Sequence, residues 1–263
     1  YMVGAYFAAT FTAWTGSFVF AVVLTLPATL LVGAVVEIVC LRTLYDRDHL
    51  DQVLATFGLI LFFNELVRLV WGPAGLSVPL PEFLSSSLEL APGLIYPSYR
   101  LAIIIASLLA AFFLYWLVAR TRIGMLIRAG ASNREMVGAL GVNIRFLFTI
   151  VFGLGAALAG LAGLMAAPIS TVEIGMGVNV LILAFVVIVI GGIGSIRGAF
   201  VSALLIGLID TVGRAFLPDV IGGFFDDAFA DAAAPALASM SIYLLMAVIL
   251  AFRPEGLFSA RNG

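Results

Sequence analysis

Apolar runs, several close to twenty residues long, recur from one end of this chain to the other, and that recurrence limits what the chain can fold into. They cover residues 1–12, 17–41, 53–71, 101–119, 146–167, 178–193, 199–212 and 237–252. A helix rises about 1.5 Å per residue, so about twenty apolar residues cross the hydrocarbon of a bilayer. The runs are too many for a signal peptide or a single anchor. Inside a bilayer every backbone N–H and C=O needs a partner within the chain, which leaves helices and closed barrels. The runs lack the period-two alternation of a barrel strand. The expected fold is all-α: a polytopic transmembrane helical bundle of about eight membrane segments, forming one domain over residues 1–263. The composition agrees, with 63% hydrophobic and only 11% charged residues. The first run is short and reads as the end of a longer helix.

Charge sets the orientation. All thirteen cationic side chains are arginine. Arg42 and Arg47 follow the second run, and Arg120, Arg122, Arg128, Arg134 and Arg145 follow the fourth. Arg197 follows the sixth, and Arg253 and Arg261 follow the eighth. With eight crossings, all ten fall on one side, and arginine-rich loops stay in the cytoplasm. Arg68, Arg100 and Arg214 fall near the other side. The segments 72–99 and 216–235 are then external. The first is rich in Pro, Gly and Ser, and the second carries Asp219, Asp226, Asp227 and Asp231. Each is long enough to meet another protein, although a solvated connector would look the same. A formal net charge of −2 gives no support to nucleic-acid binding.

Several chemistries are disfavoured. A Walker phosphate loop needs a lysine, and the chain has none, so any ATP that drives its work binds another polypeptide. The stretch from Gly191 to Gly198, GGIGSIRG, has the glycines of a phosphate cradle but neither the preceding strand nor the lysine. It reads as a tight turn between short helices, or as a broken-helix element lining a cavity. His49 is the single histidine, so no histidine pair can build a metal site. Cys40 is the single cysteine and is expected to be an inert buried thiol. No nucleophile and base stand together, so no catalytic site is assigned.

Polar residues inside the apolar runs carry the remaining interest: Glu37, Asn64, Glu65, Arg68, Glu173, Asp210 and Arg214. An ionisable group there costs about 2.5–3.5 kcal/mol on insertion scales unless paired or wet. Glu65 and Arg68 are three apart, and Asp210 and Arg214 four apart, spacings that share a helix face. Local ion pairing explains both. The functional alternative places Asn64 and Glu65, with Gly191 and Gly192, along a translocation path. Gly153, Ala157, Gly160 and Gly163 put small residues where helices can approach closely.

The longest cytoplasmic loop, residues 120–145, reads RTRIGMLIRAGASNREMVGALGVNIR. It is polar for this chain, yet it keeps helical spacing at Met136, Val137 and Leu140. Ser132 or Asn133 is placed to cap a short helix, Glu135 suits its first turn, and Gly141 suits its end. Such a helix is a docking knob for a soluble partner.

At this loop the residues resemble a known family. Glu135-Met136-Val137, three residues, then Gly141 is similar to the Glu-Ala-Ala, three residues, Gly coupling motif of ABC importer permeases, with Met136 and Val137 in place of the two alanines. The flanking Arg134 and Asn143 complete the candidate coupling set. YMVGAY, ATFGLILFFNELVRLVWGP, GLGAALAGLAGLMAAP, GGIGSIRGAF and FRPEGLF, in that order, resemble the branched-chain amino acid permease family, its LivH-type subunit more than its LivM-type partner. The resemblance spans essentially the whole chain. It implies an ABC importer permease-like fold, with a further membrane segment before Tyr1. It also implies a pore shared with a LivM-type permease subunit, two cytoplasmic ATPase subunits that bind ATP, and a periplasmic substrate-binding protein. The bacterial inner membrane is the expected location. Branched-chain or related amino acids are the expected cargo, with urea, other amides or small carboxylates as alternatives. A secondary transporter is the competing class; it needs coupling-ion ligands near mid-membrane, which the sequence does not display.

Overall fold

Every apolar run forms a helix in the computed structural model, which describes residues 1–258 apart from 46, 92–93 and 224–225. Arg261 of the charge pattern lies outside the described residues, as do the side chains of His49, Ser132, Arg134, Asp227 and Asp231. The helices are α1 Met2–Thr15, α2 Phe18–Val36, α3 His49–Trp71, α4 Ser98–Arg120, α5 Arg122–Ser132, α6 Arg134–Ala139, α7 Ile144–Ala166, α8 Met176–Gly191, α9 Ile196–Gly222 and α10 Asp227–Phe252. Among the described residues, six helices have the length and apolarity to cross a membrane: α2 with the turn after it, α3, α4, α7, α9 and α10. The other two apolar runs fall on α1 and α8, with 14 and 16 residues, short of the twenty or so that a crossing takes.

Helix ends depart from the sequence expectation. The segment 216–235 is not a long external loop, because α9 continues to Gly222 and α10 begins at Asp227. Hydropathy marks where a chain leaves hydrocarbon, whereas a helix continues while its backbone bonds hold. Pro218 and Pro235 are accommodated within these two helices. The segment 72–99 holds a β-hairpin, β1 Ser87–Ala91 paired antiparallel with β2 Leu94–Pro97. Its signal was the alternation Ser87-Leu88-Glu89-Leu90. Cys40 is half-buried rather than buried.

The chain forms two compact units, residues 1–177 and 178–263. In the first, α1, α2 and α7 pack closely, and the small residues foreseen on α7 make the contact: Gly153, Ala157, Gly160 and Gly163 are all buried. A Cβ on Gly160 would come within 2.6 Å of Thr29 on α2, and one on Gly163 within 3.1 Å of the Ala5 nitrogen on α1. Helices in lipid gain little from the hydrophobic effect, so close backbone approach supplies the attraction. Met2, Ala5, Tyr6, Val67, Val78 and Val172 form an apolar cluster around α1. The loop after α3 meets the loop after α7, where Leu76 and Val172 exchange backbone bonds of 2.9 and 2.8 Å. Arg42, just past α2, donates to Thr149 near the start of α7 at 2.9 Å. Both contacts match the alternation of ends assigned from the arginines.

In the second unit α8, α9 and α10 pack around Val186, Ile190, Ile206 and Ile242. Gly191 lies against the backbone of Gly198, so neither position has room for a side chain. Ser195 caps α9, its hydroxyl accepting from Gly198 N at 3.0 Å. The segment after α10 returns to this turn: Leu257 N donates to Ile190 O and Phe258 N to Gly191 O, at 2.8 and 3.1 Å. Two of the stretches that carry the family resemblance, GGIGSIRGAF and FRPEGLF, thus form one structure.

Candidate functional site: the loop after α4

The loop after α4 is two helices rather than one. Thr121 ends α4 and caps α5, its hydroxyl accepting from Gly124 N at 3.1 Å. Helix α5 was missed from sequence, although Ile123, Leu126, Ile127 and Gly130 follow helical spacing. Its inner face includes Gly130, where an added Cβ would lie 3.4 Å from Leu147 on α7.

Asn133 then works twice, ending α5 and capping α6. Its Oδ1 accepts from Met136 N at 2.9 Å. Of the two expected caps, Asn133 is the one used. Arg134 is the first residue of α6, and Glu135 stands exposed in the first turn, where the helix dipole favours a carboxylate. Met136 and Leu140 point outward at 63% and 77% exposure, while Val137 is buried at 6%. Gly141 closes the helix in the left-handed region at φ 85°. Its N–H donates to Gly138 O at 3.0 Å, and Val142 N donates to Val137 O at 3.4 Å. These paired bonds are a Schellman closure. Asn143 caps α7, accepting from Phe146 N at 3.1 Å.

Six residues cannot sustain a helix alone, because nucleation is too costly. Its two caps and Val137 hold α6 in place. What it offers outward is a carboxylate beside two large apolar side chains, on the face assigned to the cytoplasm.

The proposed path residues are placed differently. On α3, Asn64 is half-buried and Glu65 is exposed. Arg68 Nη1 donates to both Glu65 oxygens, at 3.1 and 3.2 Å. Arg214 Nε likewise donates to both Asp210 oxygens at 2.9 and 3.0 Å. Both pairs follow the spacing read from sequence. Gly191 and Gly192 belong to the second unit and are enclosed by their own chain. Gly192 adopts φ 96°, and a Cβ there would approach Glu255 O to 2.9 Å. Close packing accounts for both glycines.

Comparison with known proteins decides the family. The profile described as "Branched-chain amino acid transport system / permease component" matches residues 1–251. The chain belongs to this permease family. It is 30% identical over 231 residues to the high-affinity branched-chain amino acid transport system permease protein BraD of Pseudomonas aeruginosa, covering 86% of this chain and 69% of BraD. It is 27% identical over 189 residues to the corresponding LivH of Salmonella typhimurium, covering 70% of this chain and 61% of LivH. It is also 32% identical over 171 residues to the autoinducer 2 import system permease protein LsrC of Klebsiella pneumoniae, covering 62% of this chain and 48% of LsrC. No solved structure matches. Family and membrane-length helices together make this permease a multi-pass inner-membrane protein.

Proposed function

We propose that this permease is one pore-forming subunit of an ATP-driven importer for branched-chain or related amino acids. The reading is carried by α6, a capped knob that presents Glu135, Met136 and Leu140 on the face assigned to the cytoplasm. A permease that works alone has no use for an exposed apolar pair beside a carboxylate there. A soluble partner covers it, and the family relationship supports an ATPase as that partner. Arg134, Glu135, Met136, Val137, Gly141 and Asn143 form the coupling element. ATP binds only in the partner subunits. A LivM-type subunit completes the pore, and a periplasmic binding protein delivers cargo to the external loops.

Cargo is the finer point. The names of BraD and LivH support amino acids, while the similarity to LsrC keeps a different small polar solute in view. The test is co-purification of ATPase subunits, followed by ATP-driven uptake of leucine into proteoliposomes holding the full assembly. Calorimetry on the cognate binding protein identifies the cargo. Failure to retain any ATPase would refute the coupling assignment. Retention with uptake of another solute would correct only the cargo.

A further inference from the structure

Among the described residues Glu37 is the one charged side chain that is fully buried. It stands where α2 leaves its regular path and continues as a π-turn, Glu37–Leu41. There the backbone bonds reach one residue further, and Arg42 N donates to Glu37 O at 2.8 Å. This turn stacks Arg42 over Glu37, and Nη2 reaches Oε2 at 3.3 Å. Single π-turns inside helices often mark functional positions.

The third member comes from α7, 112 residues along the chain. Thr149 Oγ1 donates to Glu37 Oε2 at 2.6 Å and accepts from Arg42 Nη2 at 2.9 Å. Thr149 Oγ1 also lies 3.0 Å from Arg145 O, one turn back on its own helix. A hydroxyl has a single proton, so it serves one of these acceptors at a time. Tyr45 closes the cluster by an edge contact with Phe148, ring centres 5.3 Å apart. Burial, then the Glu37 carboxylate, raises the Tyr45 phenol pKa, and Arg42 partly offsets this.

As a fastener this is a poor choice. Glu37 Oε1 and Arg42 Nε have no protein partner. Glu37 is enclosed while the Arg42 side chain is 32% exposed, so the carboxylate is desolvated with only part of its hydrogen bonding met, an arrangement that contributes little to stability. Its position suggests another use. Thr149 lies six residues past Asn143, the cap that ends the coupling loop. That stretch of α7 is about 9 Å of rigid helix. Thr149 is thus joined to α6 through Asn143 and the first turns of α7, and it bonds Glu37 and Arg42 at the end of α2.

We propose that Glu37, Arg42 and Thr149 form a releasable tether that carries motion of the coupling loop into α2. In one state the Thr149 hydroxyl serves Glu37. In the other it turns to Arg145 O and leaves Glu37 to Arg42, so release strands no hydroxyl proton. Glu37 is a positioning residue and touches no substrate. The inference rests on the importer reading given above.

The test compares Thr149→Val, Thr149→Ser and Glu37→Gln in the full assembly, reading uptake and ATP hydrolysis together. Thr149→Val and Glu37→Gln are expected to lower uptake per ATP about fivefold while hydrolysis continues, the scale of one hydrogen bond. Thr149→Ser is expected to restore the ratio. An unchanged ratio in the first two, or uptake and hydrolysis falling only in step with abundance, would overturn the tether. If the wild-type assembly shows no ATP-driven uptake, the importer reading fails instead. The tether is then judged by amide exchange at residues 37–42 of the purified permease. Faster exchange in Thr149→Val supports it, and equal exchange refutes it.

Discussion

Gly141→Val tests how the proposed coupling element is held. Gly141 sits at φ 85°, where an L-residue pays for its Cβ. The left-handed conformation costs a typical side chain about 1–2 kcal/mol, and a β-branched one more. No neighbouring atom lies within 4 Å of an added Cβ, so the penalty is conformational and not a clash. Helix α6 has only six residues, and little else can absorb that cost. A loss of 1–2 kcal/mol lowers the population of the closed helix by a factor of about 5–30. Amide exchange is the direct assay, at the N–H groups of Leu140, Gly141 and Val142, which close the helix onto Met136, Gly138 and Val137. Exchange there is expected to quicken by that factor in Gly141→Val, with ATP-driven uptake falling alongside. Gly141→Asn should come close to wild type, because asparagine tolerates the left-handed region. If Gly141→Asn is as damaging as Gly141→Val, or if Gly141→Val leaves exchange unchanged, the conformational argument is wrong.

Other substitutions separate packing from coupling. Glu135→Arg reverses the charge on an exposed position, so membrane abundance should hold while ATPase retention and uptake fall; a pull-down with uptake counts decides it. Gly160→Leu drives a side chain into Thr29 and should cost about 1–3 kcal/mol, seen as a lower midpoint in detergent unfolding. Glu65→Gln removes the carboxylate that pairs Arg68 on a helix of membrane-crossing length. If the pair only holds the helix, membrane abundance should fall with transport per molecule intact; normal abundance with a shift in substrate affinity would mark Glu65 as part of the path.

The sequence displayed some levels of this fold well and others poorly. Helix positions were legible because a bilayer forces long apolar runs. The caps of α6 were legible because Asn133 and Gly141 are chemically specific. The buried carboxylate was not. Glu37, Glu65 and Asp210 all read alike as ionisable groups in apolar runs, and these helices are apolar on nearly every face. No periodicity distinguished the residue facing α7 from those facing outward. Helix α5 was hidden by the arginines that interrupt it, and the extension of α9 past Val212 by its charged residues and Pro218. In each case backbone geometry or a distant partner, rather than local hydropathy, set the outcome.

The buried tether and the small-residue packing depend on each other. Gly33 lies one turn before Glu37 on α2, and Gly153 one turn after Thr149 on α7. A Cβ on Gly33 would come 3.3 Å from the Gly153 Cα, and one on Gly153 would come 3.3 Å from Leu30 O. The two helices therefore nearly touch at that level. Threonine has a short side chain and reaches a carboxylate on another helix only when the backbones are this close. The glycines set the distance at which Thr149 and Glu37 can bond, and the same closeness excludes water from the carboxylate. Widening the gap by a methyl group would loosen the packing and disconnect α2 from the proposed coupling loop together. A stripe of small residues that otherwise only holds a bundle thus also fixes the reach of a polar contact where α2 ends and α7 begins.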